Sequence, residues 1–67
     1  MFIKVHDLND GIKILVNVDD ISRIEERTAG CLIYFKSVAD DFDKTKHQIS
    51  LPVEEDFQYF CGKINVF

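Results

Sequence analysis

Apolar and polar residues alternate along much of this chain, which is the pattern of half-buried β-strands. The first alternating stretch covers residues 2–8 and places Ile3 and Val5 on one face. Asn9-Asp10-Gly11 follows, and an Asp-Gly pair between alternating stretches indicates a hairpin, because glycine accepts the positive φ that such turns need. The return strand covers residues 12–18. We predict that its apolar face lies on the core, with Ile12, Ile14, Val16 and Val18.

A second hairpin is predicted after the aspartate pair Asp19-Asp20. This pair indicates a turn, in which the Asp19 carboxylate could cap a single helical turn. A strand is then expected from Ser22 to Arg27, a tight turn over residues 28–30 and another strand over residues 31–36. The last of these carries apolar side chains on both faces, which is typical of a central strand covered on both sides.

The second half of the chain predicts a loop, a strand and a helix. Ser37 to Asp43 is expected to be a loop, and Lys44 to Leu51 alternates as the last strand. Pro52 suits the first turn of a helix, where its missing N–H has no partner. Gly62 is expected to end that helix at a left-handed cap. Apolar residues recur at helical spacing along it, at Val53, Phe57, Phe60, Cys61 and Ile64.

These elements predict an α+β fold, a four-to-five-stranded antiparallel β-meander with one C-terminal helix packed on one face. A chain of 67 residues buries only about 60% of its extended surface and supports one small core. We therefore expect residues 1–67 to form a single small β-rich domain.

The charge and the apolar runs restrict the partners. The net charge is −4, and an acidic domain repels a phosphate backbone, so we do not expect nucleic-acid binding. No apolar run approaches the roughly 20 residues that span a bilayer, and the first residues lack a secretory signal. A cytoplasmic protein without a membrane partner is expected. In that compartment Cys31 and Cys61 should be free thiols that pack as small hydrophobic residues.

No group of residues predicts catalysis or metal binding. Asp40, Asp41 and Asp43 form an acidic cluster, but a calcium loop starting at Asp41 would place a lysine where the tight-turn glycine belongs. His6 and His47 are the only histidines and are expected at the surface. Neither a nucleophile elbow nor a glycine-rich phosphate loop is present. We expect a non-enzymatic protein with no cofactor and no evident small-molecule substrate.

The aromatic residues suggest a binding surface. Eight aromatics are generous for this length, and Phe42 and Tyr59 fall off the predicted apolar stripes. Together with the acidic residues Asp40, Asp41 and Asp43, they form the predicted partner-binding surface. The predicted partner is another protein or a second copy of this chain.

Several segments together carry a family resemblance: Ile3-Lys4-Val5, Leu8 to Gly11, Asn17 to Ile21, Ile24-Glu25-Glu26 and Ser50 to Phe60. Their order resembles that of the small bacterial flagellar and swarming-motility accessory proteins of the FlbD and SwrD type. This resemblance implies a non-enzymatic motility accessory protein and assigns no binding residues. The function we expect is that of a small protein-binding or adaptor module of bacterial or phage origin.

A weaker resemblance involves an Ile-x-x-Ile-Glu strand, here Ile21, Ile24 and Glu25, and a helix start with Ser50, Leu51 and Glu55. This pattern is similar to that of the LytTR DNA-binding domain. It implies an alternative function as a nucleic-acid-binding regulator.

Overall fold

The chain begins with an antiparallel hairpin. The computed structural model describes residues 1–40 and 46–64. Strand β1 (Phe2–His6) pairs with β2 (Lys13–Asn17), and Gly11 turns between them at φ 74°. The predicted inward residues Ile3, Val5 and Val16 are buried. Ile12 is 59% exposed because it lies in the turn ahead of β2, so its predicted place in the core is wrong.

A single 3₁₀ turn, Val18–Asp20, separates this hairpin from the rest of the sheet structure. The predicted helical turn is confirmed, but Asp19 does not cap it. Asn17 is the cap, because its side-chain oxygen accepts a hydrogen bond from the Asp19 N–H at 3.1 Å. Asparagine and aspartate are nearly equivalent as caps, so composition alone did not separate the two positions.

The second sheet has three antiparallel strands, β3 (Ile21–Glu26), β4 (Cys31–Asp40) and β5 (Lys46–Val53), in the order β3-β4-β5. The central place of β4 is therefore confirmed. The loop predicted from Ser37 is wrong as far as Asp40, since these residues continue β4 and pair with the first residues of β5. Here the pairing with β5 favours a strand more strongly than the polar residues of this segment favour a loop.

Pro52 lies in β5, where it is paired with Leu32, and the helix predicted to begin there is wrong. The Pro52 carbonyl accepts a hydrogen bond from the Leu8 N–H at 3.0 Å. The N and C=O of one strand residue point to the same side, so the proline nitrogen faces β1 and not β4. The missing N–H of Pro52 therefore removes no hydrogen bond between β4 and β5. Val53, which follows, is fully buried.

Helix α1 runs over Phe57–Ile64. The Asp56 carboxylate accepts the Tyr59 N–H at 2.8 Å, which is the geometry of an N-cap. Phe60 is buried, as the predicted stripe requires. Gly62 does not end the helix but lies inside it. The helix continues for two residues beyond Gly62 and packs Ile64 against the core, which offsets the cost of about 1 kcal/mol for an interior glycine.

The two sheets meet where Asp7 bridges Val53. The α+β class is confirmed, whereas the single meander is wrong, because the sheets contain two and three strands. Cys31 and Cys61 are free thiols, and Cys31 is buried as expected. No helix in the described ranges is long and apolar enough to cross a membrane. The buried core combines both sheets and the helix: Ile3, Val5, Val16, Cys31, Ile33, Val53 and Phe60.

Candidate functional site

Of the predicted partner-binding surface, Tyr59 alone has a described side chain. Tyr59 is half-buried, and its hydroxyl donates a hydrogen bond to the backbone carbonyl of Lys4. Its ring stands edge-on to Phe60, with 5.3 Å between the ring centroids. Tyr59 therefore anchors α1 to β1.

The acidic part of that predicted surface stays a prediction. Asp41, Phe42 and Asp43 lie outside the described residues, and Asp40 ends β4 with its side chain outside the described part as well.

The hydrogen bonds of the first hairpin show which way each peptide group points. The Val18 N–H donates to the Met1 carbonyl and the Asp7 N–H to the Ile12 carbonyl, both at 2.9 Å. Peptide groups alternate in direction along a strand. The odd-numbered residues of β1 therefore face β2, and its even-numbered residues turn their peptide groups outward.

The outer edge of β1 is covered by residues 54–59, which comprise the link between β5 and α1 and the first residues of α1. The His6 N–H donates to Glu55 Oε1 at 2.8 Å, and the His6 carbonyl accepts the Glu54 N–H at 2.9 Å. The Lys4 carbonyl accepts the Tyr59 hydroxyl. Side chains and backbone of residues 54–59 thus replace a neighbouring strand.

His6 and Glu55 also meet through their side chains, with 2.6 Å between His6 Nδ1 and Glu55 Oε2. Burial by itself raises the pKa of Glu55, but the hydrogen bonds from the His6 ring and backbone outweigh it, so the pKa of this carboxyl lies below its usual range. The contact ties β1 to the start of the helix. Sequence reasoning missed this pair, because 49 residues separate its members.

An apolar groove of about 330 Å³ opens between the helix and the edge of the second sheet. We call it the α1–β3 groove. One wall is helical and includes Phe57, which is 39% exposed. The opposite wall is the 3₁₀ turn and β3. The lining residues are Val18, Ile21, Ser22, Arg23, Ile24, Phe57, Phe60, Cys61 and Ile64.

Arg23 also lines the α1–β3 groove, but its charged end lies elsewhere. Its guanidinium carbon is 3.9 Å from the centroid of the Tyr34 ring, and its Nε donates to Glu25 Oε2 at 3.0 Å. Arg23 is paired with Tyr34 across β3 and β4, and Tyr34 alternates with the buried Ile33. The guanidinium therefore lies on the face of the second sheet opposite the core, where the ring and one ion pair hold it.

Sequence reasoning did not identify the α1–β3 groove. Phe57 and Cys61 belong to the apolar stripe of the predicted helix, and Ile21 and Ile24 to the Ile-x-x-Ile-Glu strand pattern. Each pattern describes one element. Neither shows that the helix and β3 leave a groove between them.

The described residues contain no group of three His, Cys, Asp or Glu side chains that could hold a metal ion. Burial, and then the charge of Glu26, raises the pKa of the Cys31 thiol. A thiol of this kind is a poor nucleophile.

The first hairpin contributes a second exposed apolar area, apart from the α1–β3 groove. Phe2 is 63% and Leu15 68% exposed, and both lie on the outer face of the hairpin. Comparison of the chain with protein-family models, with curated proteins and with solved structures found no match.

Proposed function

We propose that this chain is a small, non-enzymatic protein-binding module that receives an apolar segment of another protein in the α1–β3 groove. The groove itself is the observation that supports the proposal. Its walls are apolar, and Phe57 stays exposed at its edge. Recognition of short segments through hydrophobic grooves is a recurrent binding mode.

The size of the α1–β3 groove suits a few inserted side chains of a partner better than the surface of a whole folded protein. A volume of about 330 Å³ is at the lower end for a pocket that encloses a ligand. A partner helix would fill it with two or three apolar side chains at helical spacing.

Peptide display on the purified chain tests this proposal. We expect selected peptides to share an apolar pair at helical spacing. Phe57→Asp should weaken their binding by about tenfold or more, since it places a charge on the groove wall. The matched control is Phe2→Asp, which changes another exposed phenylalanine (63% against 39% for Phe57) on the first hairpin and should leave the affinity unchanged.

Cys61 provides an independent probe. It lines the α1–β3 groove, whereas Cys31 is buried and has a raised pKa. A bulky maleimide should therefore label Cys61 first and block peptide binding without any substitution. Equal peptide affinity for the wild type, Phe57→Asp and the labelled protein would refute binding in this groove.

The alternative function is nucleic-acid binding. A gel-shift titration at low salt distinguishes the two, because phosphate contacts make binding strongly salt-dependent. Tight and salt-sensitive DNA binding would contradict a protein-binding module. We expect none. A role as a motility accessory protein is the biological setting that the family resemblance suggests, and loss of swarming in a deletion strain would support it.

A further inference from the structure

Strand β2 has an open edge. It pairs with β1 along one side, and no other strand in the described part of the chain pairs with it. Because its even-numbered residues face β1, the N–H and C=O groups of Lys13 and Leu15 and the N–H of Asn17 point away from the hairpin, whereas the Asn17 C=O belongs to the 3₁₀ turn that Asn17 caps. Leu15 is 68% exposed, so this edge is accessible.

The two edges of the hairpin differ. The β1 edge is covered by residues 54–59, as described above, whereas β2 carries neither a proline nor a bulge along its five residues. Its outer face has one charged side chain, that of Lys13. A short strand and an edge lysine limit pairing with another strand, but they do not cover the peptide groups of β2, so a weak pairing remains open to it.

The sequence of β2 is complementary to itself. In an antiparallel pair of two copies centred on Leu15, Lys13 lies opposite Asn17, so no like charges meet. Leu15 lies opposite Leu15 of the second copy. On the inner face Ile14 lies opposite Val16, which extends the apolar row formed with Ile3 and Val5 in each hairpin.

We infer that two copies of this chain pair through β2, in register about Leu15, to form a continuous four-stranded sheet β1-β2-β2-β1. The N–H and C=O of Leu15, the C=O of Lys13 and the N–H of Asn17 supply the hydrogen bonds of the new pair. The contact is isologous, the commonest symmetry of homodimers. A five-residue strand pair buries an area at the small end of the range for protein–protein interfaces, so the dimer is weak and reversible. This inference does not depend on the proposed function of the α1–β3 groove.

Residue 15 lies on the two-fold axis and meets its own copy, which allows a charge-swap experiment. Sedimentation velocity from about 10 µM to 1 mM covers the weak-dimer range. The wild type should shift toward twice the chain mass of 7.8 kDa. Leu15→Lys alone and Leu15→Glu alone should each dimerise at least about tenfold more weakly, because like charges oppose one another. An equimolar mixture should recover the dimer.

The control variant is Phe2→Lys. Phe2 lies on the same outer face of the hairpin but on β1, so its charge should not affect edge pairing. Loss of the dimer in this variant would show that the two hairpins stack through their faces, and would overturn the proposal. So would a wild type that stays monomeric at 1 mM, a dimer that survives both single Leu15 variants, or a mixture that fails to recover it.

Amide hydrogen exchange of the wild type tests the register without any substitution. Protection of the Leu15 and Asn17 amides should rise with protein concentration. The Ile14 and Val16 amides, which face β1, should be protected at every concentration. Concentration-dependent protection elsewhere, with none at Leu15, would reject this interface.

Discussion

Replacing Gly30 by alanine tests how the second hairpin is joined to the end of β5. Gly30 turns the chain at φ 75°, and a Cβ atom added there would lie 1.9 Å from the carbonyl oxygen of Val53. That oxygen is backbone and cannot rotate away. We therefore expect Gly30→Ala to displace β5 where it pairs with Cys31 and to destabilise the whole fold.

Two terms set the size of this effect. An alanine in the left-handed region costs about 1 to 2 kcal/mol, and forcing an extra methyl group into a packed site costs about 1 to 3 kcal/mol. The sum is about 2 to 5 kcal/mol. A 67-residue domain has a stability of roughly 3 to 10 kcal/mol. Gly30→Ala should therefore remove a large share of it and lower the Tm by more than about 10 °C.

Urea denaturation followed by circular dichroism measures the loss, and the other glycines serve as controls. Gly11 has the same positive φ, but an added Cβ meets only Glu54 Oε2 at 3.7 Å. Gly11→Ala should thus cost only about 1 to 2 kcal/mol. Gly62 is inside α1 with nothing within 4 Å of an added Cβ. Gly62→Ala should stabilise the protein by about 0.5 to 1 kcal/mol.

Gly30→Asn separates the two terms. Asparagine tolerates the left-handed region but carries the same Cβ as alanine, so Gly30→Asn should lose less than Gly30→Ala and keep the contact cost of about 1 to 3 kcal/mol. Stability equal to that of the wild type in Gly30→Asn would refute the contact with Val53 as the cause.

Three further substitutions test contacts of the first hairpin, each by urea denaturation. Glu55→Gln should cost about 1 to 3 kcal/mol at neutral pH, because it removes a charged acceptor from His6. The folded-state pKa of Glu55 is lowered, so its contribution is complete above about pH 4.3 and is lost as the pH falls through the folded value; the difference between the two proteins should then close. Tyr59→Phe should cost about 0.5 to 1.5 kcal/mol, since the Lys4 carbonyl loses its donor. Asn17→Ala should cost about 1 kcal/mol through loss of the cap.

Local signals accounted for the elements whose determinants are neighbours in sequence. The glycines at positions 11 and 30 were placed in turns, and both have the positive φ that hairpin turns require. The alternation around Ile3 and Val5 identified the buried face of β1. In these cases the residues that determine the local structure all lie within one short segment of the sequence.

The end of β5 shows why the remainder could not be predicted. Pro52 followed by acidic residues is a helix start by every local rule. Its strand conformation depends on Leu32 and Leu8, which are distant in sequence. The α1–β3 groove and the His6–Glu55 contact have the same origin, since each needs two elements brought together by the fold. Sequence patterns describe faces of single elements and contain no information on which faces are left uncovered.

The cover over the β1 edge has a consequence for synthesis of the chain. The His6 N–H donates its hydrogen bond to Glu55, a residue translated 49 positions later. At about 5 to 20 residues per second, this corresponds to roughly 2 to 10 seconds on the ribosome. During that interval the outward peptide groups of Lys4 and His6 have no protein partner. The nascent hairpin then has two open edges in place of one, so it is more prone to pair with a neighbouring nascent chain than the folded protein is.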